Sequence, residues 1–362
     1  MSFEIIANFE HQTHYSMKKL ALLLIAIAAI ACQKKVYPDL IRIEGGKLHV
    51  QGIALDQKND CMYCSFTSAF YKTDLEGNIT GSVTGINGHL GAMTFDPVGR
   101  KVYASLEFKD DAIGKGIART LGAEEHKKED SRFYVAEIDV DKIKGFDMPF
   151  EDVVKLHPVN EAGKDYLDSV EMDGVKVDHK YGCSGIDGIT IGPAFGSGSK
   201  KNDHLYVAYG VYGDTTRVDN DYNIILCYSL KNLSKPLHKY FVFTGNTRYG
   251  VQNMAYDSYS KKLFLAVYKG SKSQYPNYDL FALDINQKPY MATLQNVPYQ
   301  TEEVEQLDVC GNWHFKWGST GICSLGDGRW FISEKTKENG VQVCNARQYS
   351  LDGETPFVPY SR

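Results

Sequence analysis

What this chain lacks narrows its function before any motif is read. It has no basic excess: 40 Lys and Arg stand against 45 Asp and Glu, a formal net charge of −5. Binding to a phosphate backbone draws its affinity from clustered cations, so nucleic acid is not an expected partner. The interior holds no apolar run of transmembrane length, no helical repeat and no coiled coil. Nucleophile and metal signatures are missing as well, with neither a Gly-x-Ser-x-Gly elbow nor a His-Glu-x-x-His. Gly114-Lys-Gly116-Ile-Ala-Arg119 imitates half a dinucleotide fingerprint without its final small residue, and Gly196-Ser-Gly-Ser-Lys200 lacks the Gly-Lys-Ser/Thr ending of a phosphate loop. Asp219-Asn-Asp221-Tyr-Asn223 opens like a calcium loop, but Leu230 stands where the closing Glu belongs. That excludes a helix-loop-helix site and leaves open calcium bound more loosely.

What the chain has is a repeat. Gln51-Gly-Ile-Ala-Leu-Asp56 returns as Gly91-Ala-Met-Thr-Phe-Asp96, Asp187-Gly-Ile-Thr-Ile-Gly192, Gln252-Asn-Met-Ala-Tyr-Asp257 and, more loosely, Thr320-Gly-Ile-Cys-Ser-Leu325. Each is followed by a turn and a second apolar run: Met62-Tyr-Cys-Ser-Phe66, Val102-Tyr-Ala-Ser-Leu106, Leu205-Tyr-Val-Ala-Tyr209, Leu263-Phe-Leu-Ala-Val267 and Trp330-Phe-Ile-Ser333. A strand pair returning at intervals of tens of residues marks a radial repeat. Third and fourth strands follow in every copy. They are read at residues 69–73 and 79–83, 133–138 and 153–156, 224–228 and 238–243, 279–283 and 291–294, and 341–349 and 357–360. Residues 40–43 are a further strand candidate. Four antiparallel strands per copy make an all-β propeller of five blades, with room for a sixth in residues 157–184 or 289–317. At 362 residues and 43% hydrophobic composition, the chain can bury such a core.

Connections between the first and second strands are mostly tight. Insertions gather elsewhere, at residues 107–131, 210–222 and 268–277 and at 157–184 and 297–319. In an antiparallel meander these two kinds of connection emerge on one face, around the heads of the inner strands. Loops held by a rigid scaffold are where proteins place binding groups, so the site is expected there. The first positions of the inner strands are Gln51, Gly91, Asp187, Gln252 and Thr320. Two residues upstream stand His49, His89, Gly185, Gly250 and Gly318, which alternation turns the same way. A ring of His, Gln, Asp and Thr should therefore line the channel mouth, either as a ligand site or as a polar, water-filled channel.

Asp187, the one carboxylate of that ring, is the first candidate for cation binding or acid/base work, with Glu107 or Glu334 as its catalytic partner. His49, Gln51, His89, Lys109, Tyr249, Gln252 and Lys269 are the candidate ligand-binding residues around it. Trp313-His-Phe-Lys-Trp-Gly318 adds His314, Lys316 and Trp317, since an aromatic platform beside a cation suits a sugar or an anionic sugar. The alternative for that run is Trp packing within a loop core.

The amino terminus carries an address. Met17-Lys-Lys19 is a basic n-region, Leu20 to Ile30 an apolar stretch too short to span a bilayer, and Ala29-Ile-Ala-Cys32 sets small residues before a cysteine. This resembles a bacterial lipoprotein signal, departing from it at Ala29 and Ile30. The resemblance implies that residues 1–16 are a misassigned extension and 17–31 a signal peptide. It further implies lipidation at Cys32, a tether over 32–48, and a cell-envelope protein anchored to the membrane by lipid. Residues 49–362 are then one propeller domain. Beyond Cys32 the seven cysteines are odd in number, so at least one is unpaired in a monomer. Cys61-x-x-Cys64 lies on a strand, where residues three apart face opposite sides, so buried thiols are expected rather than a metal or redox centre.

A Gly-containing inner strand ending in Asp, followed by a Tyr-rich second strand, resembles secreted propellers of the NHL and gluconolactonase type and propeller lipoproteins of gut-dwelling Bacteroides-like bacteria. The likeness covers roughly residues 40–362, carries no catalytic residue across, and departs in blade number from the six usual there. Three functions fit: binding, with or without cleavage, of a carbohydrate or similar small polar ligand; a non-catalytic scaffold; and a metal-dependent lactonase or phosphoesterase-like hydrolase.

Overall fold

In the computed structural model, residues 35–199 and 201–361 are described, and Asp39–Arg362 form a compact unit. The expected extension, signal peptide and Cys32 fall outside the described residues. Strand β1 (Leu40–Glu44) precedes the first repeat. Blade one is β2 (Gly52–Asp56), β3 (Cys61–Ser65), β4 (Phe70–Thr73) and β5 (Ile79–Thr84). Blade two begins with β6 (His89–Asp96) and β7 (Lys101–Phe108) and, after helix α1 (Ala112–Leu121), continues in β8 (Arg132–Asp139). Two-residue β9 (Met148–Pro149) and a helical turn α2 (Phe150–Val153) lead to its outer strand β10 (Val154–Pro158). Helix α3 (Asn160–Leu167) and a hairpin of β11 (Ser169–Met172) and β12 (Val175–Asp178) intervene before blade three. That blade is β13 (Cys183–Gly192), β14 (His204–Val211), β15 (Tyr222–Ser229) and β16 (His238–Phe243).

Blade four has β17 (Thr247–Asp257), β18 (Lys262–Lys269) and β19 (Leu280–Asp284), followed by β20 (Tyr290–Ala292), β21 (Val304–Leu307) and β22 (Gly311–Trp313). Blade five contains β23 (Ile322–Ser324), β24 (Arg329–Glu338), β25 (Val341–Leu351) and β26 (Phe357–Pro359). Five antiparallel sheets in a ring make a five-bladed propeller.

Alternation builds each blade. In the second strands, Met62, Cys64, Val102, Ala104, Leu205, Val207, Leu263, Leu265, Trp330 and Ile332 are all buried, and so are the residues between them. Both faces of a blade are covered because neighbouring blades stack on it, which explains why these strands read as continuous apolar runs. Interblade cores follow, for example Phe264, Trp330, Ile332 and Phe357 between blades four and five.

Three features differ from the sequence expectation. The ring closes through β1, which pairs antiparallel with β25 from Leu40↔Arg347 to Glu44↔Val343, while β26 takes the remainder of the same edge. Closure by the opposite end of the chain shields a strand edge otherwise open to aggregation. The fourth strand of blade four is β22, paired with β19, rather than residues 291–294. Those residues belong to the β20–β21 hairpin, which instead extends the outer edge of blade three through a parallel β16–β21 pairing. Residues 157–184 and 289–317 are thus consumed by α3, the β11–β12 hairpin and β20–β22, and no sixth blade arises among the described residues.

One irregularity recurs where it matters. In blade two the register steps between Leu90↔Leu106 and Met93↔Ala104; in blade three, between Ile186↔Tyr209 and Ile189↔Val207; in blade four, between Val251↔Val267 and Asn253↔Ala266. The surplus residue falls each time at the first position of the repeat, so Asp187 and Gln252 lie within β-bulges. Such a bulge turns the strand and re-aims the side chain it carries. In blade one the position after Gln51 must be small because inner strands meet there: a Cβ on Gly52 would lie 2.9 Å from the Ala92 backbone.

Candidate functional site

At the heads of the inner strands the structure gathers the polar groups of blades one to four. His89 on β6 stands directly opposite Glu107 on β7, and its Nδ1–H donates to Glu107 Oε1 at 3.1 Å. Asp187 from the neighbouring blade places Oδ1 at 3.6 Å from the same ring nitrogen. Lys109, just beyond β7, turns back so that Nζ lies 2.6 Å from Glu107 Oε1 and 3.6 Å from Asp111 Oδ2, and it donates to the Ser184 carbonyl at 2.9 Å. The second oxygen of Glu107 accepts the Ile186 N–H at 3.1 Å. Gly185 makes room for it, because a Cβ there would sit 2.1 Å from Glu107 Oε2. Gln252 donates from Nε2 to Asp187 Oδ2 and to the Tyr249 carbonyl, both at 2.9 Å. The Asp187 carbonyl is itself held by Ser105 Oγ at 2.7 Å.

The electrostatics follow from burial. Glu107 and Lys109 are 1% and 3% exposed, so their charges are kept only as a pair. Burial favours the neutral form of Lys109, but the carboxylates of Glu107, Asp111 and Asp187 outweigh it and raise the ammonium's pKa. Burial, and then the neighbouring Glu107 charge, push the Asp187 carboxyl up to about 7, against the opposing pull of His89, Lys109 and Gln252. Burial disfavours a charge on His89, yet its hydrogen bond to Glu107 and the nearby carboxylates raise it overall. Asp187 and His89, both raised, thus sit beside the Lys109–Glu107 pair.

On the blade-one side, Gln51 Nε2 donates to Thr67 Oγ1 at 3.1 Å and to His49 Nε2 at 3.2 Å, and Thr67 Oγ1 donates to the His49 carbonyl. An amide NH2 only donates, so His49 Nε2 accepts. Burial, followed by the charges of Lys335 and His89, lowers His49 to about 4 and keeps it neutral at pH 7. Lys335 on β24 donates to Tyr268 Oη at 3.1 Å, with its ammonium 5.1 Å from the ring centroid.

Lys335 and Tyr268 were missed by sequence reasoning, although the repeat contains them. Counting from the first residue of each second strand, the sixth position is Thr67, Glu107, Gly210, Tyr268 or Lys335, one step past the apolar run. These positions form a second ring beside the inner-strand heads. Glu334 is the fifth position in its copy and turns the other way. Its carboxylate accepts from Arg347 Nε at 2.9 Å and Tyr349 Oη at 2.7 Å, so it is not brought to Asp187.

Other expected residues also fall elsewhere. Trp313 lies on β22 and stacks on Phe264 at 6.4 Å, and Trp317 packs against the blade four–five core, so the aromatic run serves packing rather than a platform at the mouth. Exposed His314 pairs with Asp279, and Lys316 lies 4.3 Å over its neighbour Trp317. Lys269 is exposed at the end of β18. Tyr249, at φ 65°, does adjoin the site: its carbonyl holds Gln252, and with Arg248, His179, Tyr212 and Asp214 it lines a cavity of about 510 Å3. The half-dinucleotide run is α1 itself, capped by Asp111.

Oxygen or nitrogen atoms of His89, Glu107 and Asp187 lie within 4.8 Å of one another, the spacing of a metal-ligand trio. The donor set does not fit a divalent ion, since the Lys109 ammonium already stands against Glu107 and the Ile186 N–H occupies its other oxygen. The Asp219–Asp221 loop is cation-filled in the same manner: Arg217 pairs with Asp219 at 2.8 Å and Lys272 with Asp221 at 2.6 Å. Glu107 is also tied up in three contacts, with His89, Lys109 and the Ile186 N–H, which bears on cleavage. All seven cysteines from Cys61 onward are free thiols.

No protein-family model matches the chain, and no curated protein sequence matches it. Among solved structures it resembles hydrazine synthase of Kuenenia stuttgartiensis at 11% identity, covering 84% of this chain and 95% of that one, with a TM-score of 0.37. The apo form of the soluble aldose sugar dehydrogenase of Escherichia coli is similar at 10% identity, 84% and 99% coverage, and a TM-score of 0.38. The WD40 repeats of RRP9 are similar at 8% identity, 87% and 99% coverage, and a TM-score of 0.36. Likenesses this distant say nothing about ligand or reaction; the five-bladed ring rests on the sheets described above.

Proposed function

We propose that this chain is a binding propeller whose loop-rich mouth takes a single polyhydroxylated ligand, a monosaccharide or close analogue. The observation that carries the reading is that Gln51, His89, Asp187 and Gln252 all stand buried at the inner-strand heads of four blades. There the Asp187 carboxyl, titrating near 7, accepts or donates to a hydroxyl while Lys109 and Glu107 hold the frame. Cleavage has less support, because Glu107 is locked by His89, Lys109 and the Ile186 N–H. The scaffold reading would need a broad surface and gives no reason for buried titratable groups in the channel.

The test is a thermal-shift series with the purified protein and neutral monosaccharides, galactose among them. A ligand at a hundred times its Kd stabilises the native state by about 2.7 kcal/mol. Galactose or a stereoisomer should raise Tm in the wild type and lose that effect in Asp187→Ala and Gln252→Ala, with calcium making no difference. A response that survives both substitutions places binding elsewhere and sinks the reading. The envelope address belongs to the same proposal and rests on the Cys32 context; fatty-acid labelling in a bacterial host should be abolished by Cys32→Ser, and label retained in that variant would refute it.

A further inference from the structure

The two sides of the mouth differ in charge, and the difference concerns the ligand. On the blade-two side, Lys109 is matched by Glu107. Elsewhere Lys239, Lys272, Arg217 and Arg329, drawn inward by the fold, each have a carboxylate, in Asp165, Asp221, Asp219 and Asp327. Lys335 is half-buried and pairs with no carboxylate among the described residues. One of its three N–H groups goes to Tyr268 Oη, and the ring face of Tyr268 takes part of its charge. Its other near neighbours are His49, held neutral with Nε2 engaged by Gln51 and Nδ1–H left to donate, and His89 beyond. The Lys335 ammonium, the His49 Nδ1–H and the Tyr268 hydroxyl can each donate a hydrogen bond to an anion.

A half-buried ammonium without a counter-charge is costly, and a ligand anion would satisfy it through charge-assisted hydrogen bonds. Resting on the sugar reading of the mouth, we infer that Lys335, with Tyr268 and His49, is a carboxylate subsite, and that the ligand is a sugar acid. The ring hydroxyls face Asp187 and Gln252, and the carboxylate faces blade five.

Galacturonate and galactose differ only at C6, so titration calorimetry with the two at pH 7 and low salt isolates the charge. Wild-type protein should bind galacturonate at least tenfold more tightly than galactose, and added salt should narrow the gap. Lys335→Gln should erase the advantage and leave galactose affinity within twofold, whereas Lys335→Arg should retain most of it. Equal affinities in the wild type, or an advantage that persists in Lys335→Gln, would overturn the subsite while leaving the sugar reading intact. If neither sugar binds, the sugar reading falls and takes the subsite with it. Loss of galactose binding together with galacturonate in Lys335→Gln would mean that Lys335 shapes the mouth rather than reads charge, and would also overturn it.

Discussion

The two ends of the central channel are made by the same five strands and have opposite characters. At the strand heads, Gln51, His89, Asp187 and Gln252 form a tight, polar, hydrogen-bonded mouth. At the strand ends lies a cavity of about 720 Å3, lined mostly by apolar side chains such as Ile53, Met93, Phe95, Ile191, Met254 and Leu325, with the Arg100–Asp56 pair on its rim. The roomier end is the more apolar one. Its connections are mostly short turns, among them Asp56 to Asp60 closed by side-chain hydrogen bonds from Asn59, and they bring Asp56, Lys58, Asp96 and Arg100 to its lining. The loop-rich end carries the insertions, and the one after β7 supplies Lys109 and Asp111. Cavity volume and the buried titratable cluster therefore lie at opposite ends, and each end should respond to its own perturbation.

The largest effect should come from the mouth. Glu107→Gln leaves the buried Lys109 ammonium without its nearest counter-charge, and breaking such a pair costs about 3–5 kcal/mol. Urea unfolding should show that loss; a change below about 1 kcal/mol would mean that the mouth is not held by this pair. At the opposite end, Met254→Ala should cost about 2 kcal/mol, the low end for such truncations, because the adjoining cavity lets the site relax. Its galactose response should match the wild type, and a lost response would couple the two ends.

The smallest effect is a pH dependence confined to the mouth. The Asp187 carboxyl is raised to about 7 from an ordinary value of 3.8, so the folded state holds its proton more tightly than the unfolded chain. That contribution is complete below about pH 4 and is lost as pH rises through 7. Asp187→Asn should thus gain on the wild type between pH 6 and pH 7, by about 1 kcal/mol and no more than one protonation step allows. His89, raised in the same direction, adds to the slope above 6.5 in the wild type. His49, lowered to about 4, acts with the opposite sign at acid pH in both proteins and largely cancels. Equal urea midpoints for variant and wild type at both pH values would show that Asp187 titrates normally.

Much of this was legible in the chain. The repeat contained the blades, and the loop lengths marked the loop-rich face, because insertions are tolerated only where they do not interrupt a sheet. Strand alternation brought His89, Gln252 and Glu107 correctly beside Asp187. It failed for Glu334 because only the count along the second strand, applied equally to every blade, tells the fifth position from the sixth. It failed for Trp313 and Trp317 because an aromatic run has no direction until the interblade core claims it.

The sequence by itself determined the repeat unit, five countable copies of it and the identity of the acidic inner-strand head, since each depends on local periodicity and on which residue occupies a repeated position. Only the tertiary structure decided the rest. Closure of the ring by β1 joins residues some 300 apart, and the outer strand of blade four was chosen by competition between edges. The bulges that seat Asp187 and Gln252 arise from inner strands pressed together at the axis. Above all, the proton affinity of Asp187 is set by groups from other blades, Glu107, His89, Lys109 and Gln252, and by their shared exclusion from water, which no one-dimensional pattern records.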